Sequence, residues 1–106
     1  MLVLFDQSTP MQLRDVLAEH TVETAWERGW STLQNGDLLH AAETAGFEVF
    51  VTADKNLKYQ QNLRLLRIAI VVLPTNQWSK LTPWLHAIKA AVSTAGRGTY
   101  SEVGNG

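Results

Sequence analysis

A single three-layer α/β domain, with helices on both faces of a mostly parallel sheet of about four to five strands, is the fold this sequence predicts. Three observations carry the expectation. Short apolar runs recur at Leu2-Val3-Leu4-Phe5, Phe47 to Thr52 and Ile68 to Leu73, the pattern of strands buried on both faces. Segments with helical spacing of apolar residues lie between them, and alternating strands and helices favour parallel pairing through crossovers. The chain has 106 residues, the size of one domain, and shows no repeat, low-complexity segment or second unit. We assign the domain to residues 1–103 and a frayed end to Gly104 to Gly106.

Each element has its own signal. Leu2 to Phe5 is the first strand, ended by Asp6. Thr9-Pro10 reads as an N-cap followed by proline at the first helical position, with Leu13, Val16 and Leu17 as the buried stripe. A short strand is expected around Val22. Gly29 to Gly36 is loop-like, and Asn35 can cap a second helix. There Leu38, Ala41, Ala42 and Ala45 follow the i, i+3, i+4, i+7 spacing, and Gly46 suits the C′ position. Phe47 to Thr52 is the next strand, and Asp54 follows it. Lys55 to Arg67 reads as a polar loop with one helical turn. Ile68 to Leu73 is the clearest buried strand. Thr82-Pro83 repeats the cap-then-proline signal ahead of a face made by Leu85, Ile88, Val92 and Ala95. Thr99 to Val103 completes the series as an edge strand.

Composition narrows the chemistry. The chain has no cysteine, which excludes disulfides, thiolate nucleophiles and cysteine-based zinc sites. His20, His40 and His86 show no metal-ligand spacing. Any metal is therefore expected to be held by oxygen, which suits Mg²⁺ or Mn²⁺. The run at Leu2 is cut short at Asp6 and no basic residue precedes it, so no secretory leader is expected. No apolar run approaches the ~20 residues of a membrane span. The expectation is a soluble, cytoplasmic protein. The net charge of −1 hides a split: residues 1–54 carry −7 and residues 55–106 carry +6, which points to two surfaces of different use or to ordinary solvated helix faces.

Parallel α/β sheets bind ligands at the carboxyl ends of their strands. Asp6 and Asp54 each follow a strand, and Asp37 lies in the first turn of the helix that leads into the Asp54 strand. If those strands are neighbours, three acids from three segments would share one pocket. Like charges so close repel unless a cation intervenes, and replacing one by Asn is expected to raise the stability of the metal-free protein. A hard divalent ion would resolve the conflict and could activate water against a phosphodiester. Each acid also has a plainer reading: Asp6 as a turn residue, Asp37 as a helix-dipole partner, Asp54 as a cap for the next segment.

The segments LVLFDQSTP, GWSTLQNGDLLHAAETAGFEVFVTADKNLKYQQNL and IAIVVLPTNQW resemble the small PIN-like proteins, relatives of nuclease toxins from bacterial toxin–antitoxin pairs. The resemblance runs from Leu2 to about Ala95. Its most specific parts are the strand-ending Asp6, Gly36-Asp37 before an alanine-rich helix, and Thr52-Ala53-Asp54 with Asn56-Leu57 behind it. It implies Asp6, Asp37 and Asp54 as catalytic ligands of Mg²⁺ or Mn²⁺ and Thr52 as a polar neighbour that orients Asp54 or a water. It further implies RNA as substrate and a small antitoxin-like protein as partner; a homodimer is also allowed. Many relatives carry a further aspartate where this chain has Asn56, which lowers the charge of the site.

Lys55, Lys58, Arg64 and Arg67 follow Asp54 closely, with Tyr59 among them, and can contact phosphates and bases of an RNA strand or form an ordinary solvated loop. Asn76 can reach the carboxyl edge or serve a turn. Trp26, Trp30, Trp78 and Trp84 can anchor a partner, although packing suits most of them better. His40 and His86 read as surface or packing residues. The leading expectation is a metal-dependent ribonuclease; the alternative is a PIN-like interaction module with a weakened site, favoured by Asn56. A phospho-acceptor domain would call for a lysine after a late strand, and Leu73 is followed by Pro74-Thr75-Asn76 instead.

Overall fold

The computed structural model describes residues 1–57 and 67–104. Five strands form one sheet: β1 (Leu2–Phe5), β2 (Thr21–Thr24), β3 (Val49–Thr52), β4 (Ala69–Val72) and β5 (Tyr100–Glu102). Their order is β2-β1-β3-β4-β5, and every pairing is parallel. Among the described residues the helices are α1 (Leu13–Val16), α2 (Asn35–Thr44), α3 (Trp78–Leu81) and α4 (Leu85–Ser93), with a 3₁₀ turn at Thr82–Trp84 between the last two. Among the described residues no helix is long and apolar enough to cross a membrane.

The period of two along each strand divides the core into two faces. Val3, Phe5, Val49, Val51, Ala69 and Val71 pack with Leu13 and Leu17 near α1 and with Leu81, Ile88 and Val92 of α3 and α4. Leu4, Phe50, Ile70 and Val72 pack on the other face with Leu38, Leu39 and Ala42 of α2. The sheet is thus the middle layer of three, which is why its inner strands β1, β3 and β4 read as apolar runs, while the edge strands β2 and β5 do not. From β1 the chain steps outward to β2 past α1, then returns across the sheet to β3 past α2 on the opposite face. The β4-to-β5 link carries α4 on the α1 face although it steps in the other direction. Those two crossovers therefore have opposite hands, a departure from the usual uniform handedness.

Several local expectations change. Thr9 does not cap α1, which begins only at Leu13 with Gln12 before it; its hydroxyl is drawn into the sheet edge instead. Gln34, not Asn35, precedes α2. The buried stripe of α2 includes Leu39 and leaves Ala45 exposed, because the helix lies flat on the Phe50 face. Gly46 does adopt a positive φ of 89° just past the helix. The helical stretch before α4 starts at Trp78, ahead of Thr82-Pro83, and the proline sits in the 3₁₀ turn. Gly104 is not frayed: it has φ +66°, and a Cβ there would lie 3.1 Å from Pro74 and Trp84.

Candidate active site at the switch point of the sheet

In an open parallel sheet of this order, neighbouring strands β1 and β3 lead away to opposite faces, which opens a crevice beyond their carboxyl ends. Phe5 pairs with Val51 in the β1–β3 register, and the Asp6 amide donates to the Val51 carbonyl at 3.2 Å. Asp6 and Thr52 are therefore side by side at that crevice, pointing to the same face.

Asp6 is 7% exposed, and a buried carboxylate must be compensated. Its Oδ1 accepts from the Ser8 amide at 3.1 Å, the Ser8 hydroxyl at 2.7 Å and the Thr9 hydroxyl at 2.9 Å. The Thr9 proton is shared with the Val51 carbonyl, also at 2.9 Å. Oδ2 accepts from the Thr52 hydroxyl at 2.5 Å. Ser8 Oγ in turn accepts from the Ala53 amide at 2.9 Å. Each carboxylate oxygen offers about two acceptor positions, so Oδ1 is saturated while Oδ2 carries the Thr52 bond alone. Asn at this position would place an NH₂ group among donors, and the expected gain in stability becomes a loss.

Thr52 is fully buried and joins the two strand-end acids. Its hydroxyl donates to Asp6 and accepts the Asp54 amide at 3.0 Å. Asp54 is half-buried. One of its oxygens accepts the Asn56 amide at 3.0 Å, an Asx turn; the other accepts from Asn35 Nδ2 at 2.6 Å. That last bond ties the start of α2 to the carboxyl edge. Asp37, two residues further along, is exposed on the same edge. The structure thus links Asp6 and Asp54 in one network and leaves Asp37 at solvent beside it. Among the described residues no three acidic or histidine side chains gather closely enough to enclose a metal.

Of the four basic residues, the two described ones lie apart. Lys55 is exposed next to Asp54. Lys58 and Arg64 lie outside the described residues. Arg67 precedes β4, so it belongs to the amino edge, where its amide donates to Glu43 and its side chain helps line a separate groove of about 570 Å³ with Glu48 and Arg97. The four residues of β4, about 13 Å of strand, separate it from the carboxyl edge. Asn56 is exposed and meets Asp54 through its backbone. Asn76 is exposed in a turn where Gln77 N donates to Thr75. His40 and His86 are exposed, as expected.

Three residues of the network, Ser8, Thr9 and Asn35, were not expected there. The local signal for the first two is Asp-x-Ser-Thr directly after a strand, since Asp side chains bond the backbone two residues on. Nothing local distinguishes Asn35 from a helix cap. In comparisons with known proteins, no family model, no curated protein and no solved structure matches the chain.

Proposed function

We propose that the protein is a metal-dependent ribonuclease of the PIN-like type, acting as the toxin of a toxin–antitoxin pair. The observation that carries this reading is a pair of strand-end carboxylates at the switch point, tied to one buried hydroxyl, Thr52. The donor set is all oxygen, which fits Mg²⁺ or Mn²⁺; Mg²⁺ commonly takes one or two carboxylates and keeps several waters. Asp54, whose oxygens each accept one hydrogen bond, would hold the ion, with Asp6 at its side and Asp37 reaching it through water. When bound, such an ion lowers the pKa of a water and steadies charge on a phosphodiester. Thr52 fixes the spacing of the two acids, Asn35 restrains Asp54, and Lys55 attracts the phosphate backbone.

The test is cleavage of a mixed RNA pool with Mg²⁺, with Mn²⁺ and with chelator. Wild type should cleave only with metal, and Asp54→Asn should not cleave. Equal cleavage by both proteins would overturn the assignment. The alternative, a PIN-like interaction module, is favoured by the hydrogen bonds that saturate Asp6 Oδ1 and by the amide at Asn56; it expects no metal-dependent cleavage by wild type.

A further inference from the structure

The carboxyl edge has a second feature, which the chemistry above leaves unused. Beyond the ends of β1 and β2 lies a cleft of about 380 Å³, lined by Asp6, Thr9, Met11, Thr24, Trp26 and Glu27 among others. Trp26 is 75% exposed and Met11 51% exposed, the two most exposed large hydrophobic side chains among the described residues. The other tryptophans are engaged: Trp30 meets the Phe47 ring edge-on at 6.1 Å, Trp78 packs on the core and Trp84 lies against Gly104.

Trp26 does not dangle. The Ala25 amide donates to the Phe5 carbonyl at 2.9 Å, which extends the β1–β2 pairing and sets Trp26 one residue beyond the row of Asp6. Thr24 Oγ1 accepts the Glu27 amide at 3.1 Å and Glu27 Oε1 accepts the Thr24 amide at 2.9 Å, the reciprocal bonding of a capping box. The Trp26 carbonyl accepts from Gly29 at 3.0 Å and the Ala25 carbonyl from Trp30 at 2.8 Å. Glu27 is also paired with Arg14. A fixed turn thus presents an indole to solvent at the cleft that Asp6 also lines.

Among the described residues no Lys or Arg lines the cleft, whose charged groups are Asp6 and the Arg14-paired Glu27, so it offers a phosphate no cationic partner. A flat, uncharged ring fits the exposed indole and thioether, and every nucleobase has a face that stacks on an aromatic side chain. Two exposed apolar side chains are a small anchor beside the ~800 Å² per partner of a stable protein interface, and the cleft shares Asp6 with the proposed active site. We propose that this cleft is a subsite for one unpaired nucleobase of the RNA strand, stacked on Trp26. The inference rests on the ribonuclease reading.

The experiment is binding of a mixed-sequence single-stranded RNA ten-mer, with Ca²⁺ in place of Mg²⁺ to separate binding from cleavage, read by anisotropy and by tryptophan fluorescence. Stacking of one base is worth about 1–3 kcal/mol, so Trp26→Ala should weaken binding by about 5- to 140-fold. Trp26→Phe should retain most of the affinity while losing most of the RNA-induced fluorescence quenching. Binding of duplex RNA should be unaffected by either change, because paired bases are not free to stack. If wild type binds the ten-mer and Trp26→Ala binds it equally well, the subsite is overturned, the ribonuclease reading stands, and the indole is left to a protein partner. If wild type binds no RNA, both fail together.

Discussion

At the amino edge of the sheet, Glu48 accepts the Leu2 amide at 3.2 Å and Glu43 accepts the Arg67 amide; each carboxylate fastens one segment to another and stays at the surface. At the carboxyl edge, Asp6 and Asp54 meet through the side chain of Thr52, and hydroxyls and amides are drawn around them. The amino edge has the larger groove, about 570 Å³ against about 380 Å³, yet its acids alternate with Arg67 and Arg97. Parallel strands deliver their last residues to one edge, and at the switch point the adjoining loops part, so polar side chains from distant segments gather there.

The comparison breaks most visibly in catalysis. Asp54→Asn should abolish metal-dependent cleavage, a loss beyond the roughly 10–100-fold that follows removal of a mere outer-shell partner of a metal, while Glu48→Gln at the amino edge should leave the rate unchanged. Single-turnover cleavage assays decide it, and equal losses would erase the distinction between the edges.

Stability gives the next largest contrast. Thr52→Val removes the shared hydroxyl, leaving a buried Asp6 oxygen and the Asp54 amide without partners. Urea unfolding should show a loss of about 2–3 kcal/mol. A loss under ~0.5 kcal/mol would mean that the network contributes little to folding. Asp37 sharpens the same picture at lower amplitude. As a participant in the metal shell, Asp37→Asn should weaken Mn²⁺ binding by calorimetry; as a helix-dipole partner it should cost about 0.3–1 kcal/mol of stability and leave binding alone.

Charge at the two edges can be compared by salt titration. Lys55→Ala should flatten the dependence of log RNA affinity on log salt by about 0.7, one phosphate contact for a single strand, whereas Arg67→Ala should leave it unchanged. An equal effect of Arg67 would place the strand across the amino edge as well.

The smallest effect concerns Glu27, whose pKa lies below the ordinary 4.5, first through its hydrogen bond with Arg14 and next through the Thr24 amide. A depressed carboxyl adds stability that is present above its unfolded pKa and lost as pH falls through the folded one. Arg14→Met should move the Glu27 titration, followed by carboxyl-carbon NMR, upward toward 4.5. No upward movement would remove Arg14 from the turn that presents Trp26.

The apolar runs at Leu2, Phe47 and Ile68 were legible as buried parallel strands because a strand covered on both faces has no polar alternation to hide it. The strand-end positions of Asp6 and Asp54 followed, since they depend only on where those runs stop. What lay beyond the sequence was everything that depends on contacts across the fold. Thr9 and Asn35 look locally like helix caps, yet a Val51 carbonyl 42 residues away and the Asp54 carboxylate 19 residues away claim their side chains. Arg67 follows Lys55 closely in sequence, but it stands at the start of a strand and Lys55 just past the end of one, so the sheet holds them at opposite edges. Local spacing records which residues turn inward; strand order and register, set by the packing of two faces at once, decided which polar groups meet.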